Sequence, residues 1–207
     1  MKRWNLLFVI FLVCLNGYSQ NLGIKSNLLY DATSTINLGV EFALSDKLTL
    51  DISGNFNPWI FPQEKVNASG AVISRHDAII KHWMIQPEVR WWLCENFNGH
   101  FFGMHLQGGQ MNVGGLTCMP AEWVEKGIRR NRVEGWFAGT GVAYGYHWIL
   151  GNRLSLEFSL GVGYIYLKYD KFINYSSVSN PPKDENAYKM HFFGPTKAGI
   201  SLIYMIY

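Results

Sequence analysis

Between Ile36 and Asn57 the chain alternates with a period of two through a pair of runs of opposite phase, INLGVEFAL and LTLDISGNFN, joined by the tight turn SDK. Ile36, Leu38, Val40, Phe42 and Leu44 fall on one side, and Asn37, Gly39, Glu41 and Ala43 on the other. After the turn, Leu48, Leu50, Ile52, Gly54 and Phe56 alternate with Thr49, Asp51, Ser53 and Asn55. A period of two belongs to β-strands, because successive side chains point to opposite faces. One face is greasy and the other carries carboxylates. The fold therefore depends on which face meets the surroundings and whether those surroundings are water or lipid.

The same alternation recurs along the chain and predicts eight strands. The first is Leu22 to Asp31, and the opening hairpin supplies the second and third. The rest run from Ile80 to Leu93, His100 to Asn112, Gly135 to Ile149, Arg153 to Tyr169 and Tyr188 to the end. Pro87 lies within the fourth and predicts a bulge or kink there, since proline cannot donate to a ladder. Pairs such as Gly139 with Gly141 and Gly161 with Gly163 read as space for larger inward neighbours, not as phosphate loops. No helical periodicity appears beyond residues 1–20. Connections at 45–47, 94–99 and 150–152 are tight, whereas 58–79, 113–134 and 170–187 are long. Short turns at one end and long loops at the other match the asymmetry of an outer-membrane barrel, whose short turns and both termini face the periplasm.

A soluble barrel would show the same alternation with its greasy face turned inward. Composition and placement favour the membrane form. Only 16% of residues are charged, against roughly 25% in soluble domains. The polar faces hold mostly Gly, Ser, Asn and Ala, which suit the packed lumen of a narrow barrel. Aromatics gather near the strand ends: Trp91, Trp148 and Tyr204 towards the short turns, and Trp59, Trp83, Trp136, Tyr166 and Phe192 towards the long loops. Two such girdles suit the headgroup layers of a bilayer. The final strand carries Lys197, Gly199, Leu202 and Tyr204 in the polar-x-Gly-x-x-apolar-x-apolar spacing read by barrel-insertion machinery. The expectation is an all-β, eight-stranded antiparallel up-and-down transmembrane β-barrel over residues 21–207, in contact with outer-membrane lipid.

Residues 1–20 read as a cleaved secretory signal peptide, with Lys2 and Arg3 before the apolar run LLFVIFLVCL, which is too short to span a bilayer. Val13 is bulky for a lipoprotein site at Cys14. Removing Lys2 and Arg3 takes the 18 basic residues to 16 against 15 acids, so the mature chain is near neutral and implies no nucleic-acid partner. Cys94 and Cys118 then lie at opposite ends of the barrel as free thiols.

By strand phase, Lys25, Glu41, Asp51, Glu88, Arg90, Glu157 and Lys197 point inward. Four acids against three bases read as an ion-pair network filling the lumen. His105 and His147 also face inward, each without the neighbours a metal site needs. Ser74, Arg75, His76 and Asp77, with His82 just below, are candidates for a rim active site. Neighbours on one loop, however, lack the mutual orientation a triad requires. Neither a cofactor nor an enzymatic activity is expected; a narrow channel and an outer-rim lipid- or peptide-modifying enzyme are the alternatives.

The runs KSNLLYDAT, NLGVEF, NPWIF, KHWMIQPEVRWWLCENFNGHFFG, GGQMNVGG, EGWFAGTGVAYGYHWIL and FGPTKAGISLIY resemble a family of unknown function found in Bacteroidota. The resemblance implies a small outer-membrane barrel whose genes can lie near fimbrillin-type genes. It implies location and a link to surface appendages, not a mechanism. The expected role, from the long loops on a rigid scaffold, is structural or surface-interacting, with a fimbrial protein as a partner at those loops.

Overall fold

A computed structural model describes residues 22–66, 72–115, 131–172, 183–184 and 187–206; residues 1–20 lie outside them. The strands are β1 (Leu22–Asn27), β2 (Ile36–Ser45), β3 (Leu48–Asn57), β4 (Ile60–Val66), β5 (Val72–Trp92), β6 (Gly99–Gly114), β7 (Arg132–Ile149), β8 (Leu154–Phe172) and β9 (Tyr188–Ile206). All neighbours pair antiparallel, and the pairing runs β3-β2-β1-β9-β8-β7-β6-β5 before β5 returns to β3. Eight strands thus close a ring, and β4 pairs with the half of β5 that rises beyond β3.

Nine strands replace the expected eight because Ile60–Val66 (IFPQEKV) forms an edge strand instead of part of a loop. Pro62 and the polar run after it concealed the strand; an edge is where a sheet tolerates proline. The first strand also ends early. Asn27 caps a five-residue helix, α1 (Leu28–Ala32), and its side chain accepts from the Leu29 N–H at 3.1 Å. At Pro87 the expected bulge is absent: Pro87 pairs with Ile52, and the β5–β6 ladder skips Gln86 and Pro87 before resuming at Glu88 in the same register. A bulge lies instead in β9, where Gly161 pairs with Lys197 but Val162 with Pro195, leaving Thr196 extra. One inserted residue reverses the phase above it. Phe193, not Phe192, therefore points outward, at 81% exposure.

The ring is inside-out relative to a water-soluble protein. Among the described residues, seventeen buried residues are polar or charged and ten are apolar. The outer face carries Leu38, Met104, Leu106, Val142 and Leu160, each more than half exposed. Apolar side chains do close the two ends of the interior. At the short-turn end Trp92, Phe97, Phe101, Ile203 and Met205 pack together, with Trp92 and Phe101 rings 4.9 Å apart. Phe97 reaches this plug from a turn, with φ of 58°. Towards the far end, Ala78, Val133 and Tyr169 pack with Met111, Leu167 and Met190 on the inner face of the tall strands.

The walls are unequal. β1, β2 and β3 have 6, 10 and 10 residues, whereas β5 to β9 have 16 to 21. At about 3.3 Å per residue, β3 runs for about 33 Å and β5 for about 70 Å along the chain, so one side of the ring stands much higher than the other.

Gly145 shows why small inward residues are needed. A Cβ there would lie 2.3 Å from the Phe101 ring and 2.8 Å from the Phe158 carbonyl. Gly145→Val is expected to destabilise the fold by about 1–3 kcal/mol through overpacking. Gly151→Ala, with nothing within 4 Å, should leave the unfolding transition of the purified protein unchanged.

Candidate functional site

Strand register creates an electrostatic problem inside the ring. Glu41 pairs with Asp51, and Asp51 pairs with Glu88, so three acids stand in a row across β2, β3 and β5 on the inner face. Like charges directly opposite one another destabilise a sheet. Arg90, one inward position from Glu88, resolves the conflict. Its Nε donates to Glu88 Oε1 at 2.7 Å, Nη1 to Glu41 Oε2 and Glu157 Oε2 at 2.7 Å each, and Nη2 to Asp51 Oδ2 at 2.8 Å. All five residues are essentially buried, and only a planar guanidinium offers enough donors in a fixed fork to serve four carboxylates at once.

Two lysines complete the cluster. Lys25 Nζ donates to Glu41 and lies 3.3 Å from Glu157 and 3.5 Å from Asp51. Lys197 Nζ donates to Glu88 Oε2 at 2.7 Å. The seven inward charges predicted from strand phase thus stand in one cluster contributed by β1, β2, β3, β5, β8 and β9. Thr49 donates to Glu41 and accepts from Trp92 Nε1 at 2.9 Å, tying the charges to the apolar plug. Phe101 stacks beneath Arg90, its centroid 4.5 Å from the guanidinium carbon.

Both inward histidines are buried. His105 Nε2 pairs with Thr196 Oγ1 at 3.0 Å, and Nδ1 lies 3.5 Å from Glu88. The bulge residue Thr196 is a partner that strand phase alone did not supply. His147 sits edge-on to Trp92 and Phe97, and neither ring nitrogen has a hydrogen-bond partner among the described residues. No group of three or more His, Cys, Asp or Glu side chains there is placed to hold a metal. Beside the cluster is a cavity of about 30 Å³ lined by Lys25, Asn27, Tyr30, Asn55, Gln86 and Glu157, room for about one water. Burial raises the Tyr30 phenol above its ordinary value.

The remaining predicted residues are dispersed. Trp91, Trp148 and Tyr204 are exposed on the outer face near the short turns, and Tyr204 accepts from Arg153 at 3.2 Å. Trp59, Trp83 and Trp136 are exposed towards the far end, with Trp136 packing on Tyr166 at 5.6 Å. Trp83 Nε1 donates to Gln110 at 3.1 Å and Trp59 Nε1 to the Ser34 carbonyl at 2.6 Å. In the terminal pattern, Lys197 and Gly199 point inward while Leu202 and Tyr204 point outward. Ser74, Arg75, His76 and Asp77 lie on β5, not in a loop, with His76 opposite Gln63; their side chains lie outside the described residues. His82 Nδ1 faces the Ile80 carbonyl at 3.3 Å. Cys94 is a free, exposed thiol in the turn after β5; Cys118 lies outside the described residues.

A family described as Protein of unknown function (DUF3575) matches residues 5–206. The chain belongs to that family. Comparison with curated proteins and with solved structures yields no match.

For this DUF3575 chain the geometry makes Arg90 the test of the cluster. Arg90→Met leaves four buried carboxylates sharing two lysines and is expected to cost about 3–5 kcal/mol. Arg90→Met with Glu157→Gln should recover part of that loss in denaturant unfolding, because one unpaired charge is removed with its partner. Additive losses would show that the two residues do not act as a pair.

Proposed function

We propose that this protein is an outer-membrane β-barrel with a filled lumen, serving as a rigid structural or interaction scaffold whose long connections contact a surface partner. The observation that carries the reading is the inverted distribution of side chains: exposed Leu, Val, Phe and Trp outside, and a buried ion-pair cluster within. An outward apolar surface of this extent is stable in hydrocarbon, and exposed aromatics near both ends of the strands suit the headgroup layers. Lys197, Gly199, Leu202 and Tyr204 supply the terminal signal for assembly into that membrane, and residues 1–20 the export signal.

The interior favours a scaffold over a channel. Six of the eight ring strands contribute to one cross-braced cluster, and Trp92 and Phe101 plug the short-turn end. Every carboxylate of the cluster is committed to a cation, so none is free to act as a base. The paired β4 and upper β5, with the connections between β6 and β7 and between β8 and β9, supply the surface that a partner would meet, because segments held on a rigid frame are where binding concentrates. A fimbrial component is the partner the family resemblance suggests.

Photo-crosslinkers placed within 113–134 and 170–187 in intact cells are expected to capture a recurrent surface protein; capture of none would remove the interaction role. Purified protein should migrate faster on gels before boiling than after, as a closed barrel resists detergent unfolding, and should give no conductance in planar bilayers. A steady conductance would replace the scaffold with a pore.

A further inference from the structure

The outer face changes character abruptly where β8 and β9 climb past the aromatic level. Reading upward, the cross-strand pairs are Tyr164 with Phe193, Tyr166 with His191, and then Lys168 with Lys189. Trp136 of β7 stands directly beside Lys168 in the same row. Two lysines opposite each other on one face repel, and a sheet normally places an acid beside them. Here the nearby acids are already engaged: Glu134 by Arg132 at 2.6 Å, and Asp170 by Lys183 at 2.8 Å. Both Lys168 and Lys189 are exposed, and among the described residues neither forms an ion pair.

Beneath the lysines the surface is a built aromatic shelf. Trp136 packs on Tyr166 at 5.6 Å, Tyr166 meets His191 edge-on at 5.3 Å, and the His191 ring is fixed by a hydrogen bond to the Tyr164 hydroxyl. Below that, Phe193 projects at 81% exposure opposite Tyr164, and Val162 and Leu160 are exposed lower on β8. The order is cationic pair, aromatic ledge, apolar wall. It mirrors an anionic headgroup, its glycerol or sugar level, and its acyl chains.

We propose that Lys168 and Lys189 hold the phosphate of a phosphorylated glycolipid of the outer leaflet, with Trp136, Tyr166 and His191 supporting the headgroup and Phe193 lying against an acyl chain. A phosphate monoester carries about −1.5 to −2 charges at neutral pH, matching the two unpaired ammonium groups, and its oxygens accept from both at once. This site rests on the outer-membrane reading, which sets the β5–β9 extension on the external side.

The test is native mass spectrometry of the full chain in detergent micelles, with bis-phosphorylated lipid A, the same lipid after phosphatase treatment, and inorganic phosphate as probes. The wild-type protein is expected to retain bis-phosphorylated lipid A at least tenfold better than the dephosphorylated form. Lys168→Gln with Lys189→Gln should lose that preference, each single variant should lose part of it, and Lys47→Gln at the short-turn end should keep it. All variants change exposed side chains and are checked for the faster gel migration of the folded form. Equal retention by the double variant and wild type would overturn the site while leaving the barrel reading intact. Complete displacement by millimolar inorganic phosphate would overturn the lipid assignment in favour of a free-anion site. A wild-type chain without the folded gel form would overturn both readings.

Discussion

The row of facing acids formed by Glu41, Asp51 and Glu88 is the condition to which the rest of the interior responds. Their register is set by backbone pairing across β2, β3 and β5, so they cannot separate without breaking ladder bonds. Arg90 sits where its fork reaches all three, and Glu157 from across the ring consumes its remaining donors. Lys25 and Lys197 then approach from β1 and β9. A ring whose opposite walls are joined through one guanidinium gains a defined cross-section, because loss of the central cation would leave several buried charges uncompensated.

That polar centre makes sense of the outside. A protein that commits its charged side chains to its interior has few left to meet water, and only 16% of this chain is charged. The interior is nevertheless layered. Aromatic and aliphatic side chains pack at the short-turn end, charges occupy the middle, and an apolar set lines the tall far wall. Thr49 couples the first two layers, bonding both Trp92 and Glu41.

Much of this was legible from alternation alone, because a period of two assigns each residue to a face once a strand is found. Glu41, Asp51, Glu88, Arg90 and Glu157 all keep the face that alternation assigns, and the irregularity at Ala43–Ser45 in β2 leaves Glu41 opposite Asp51. What alternation does not show is where a strand gains a residue. Thr196 reversed the phase of the upper half of β9, and nothing in FGPTKAG marks the inserted position except the small and proline residues around it. β4 was hidden for another reason. An edge strand needs no alternating apolar face, since its stability comes from the neighbour it pairs with. Leu28 and Tyr30 extend the alternation of Leu22 and Ile24 into α1, but the Asn27 cap, a local hydrogen bond, overrides that pattern. The committed state of each cluster carboxylate is a matter of distance, which no spacing in the chain reports.

The difference in wall height gives the molecule a front and a back. Over β1–β3 the rim is low, while β4–β9 rise behind it as a curved screen whose hollow side is lined by Ile80, Met111, Val113 and Met190. Among the described residues, an object approaching the rim meets tall strands on one side and only the short helix at Leu28–Ala32 above the low wall on the other. Rotation about the ring axis is therefore not equivalent for whatever docks there, and two neighbouring copies would have to agree on which way they face.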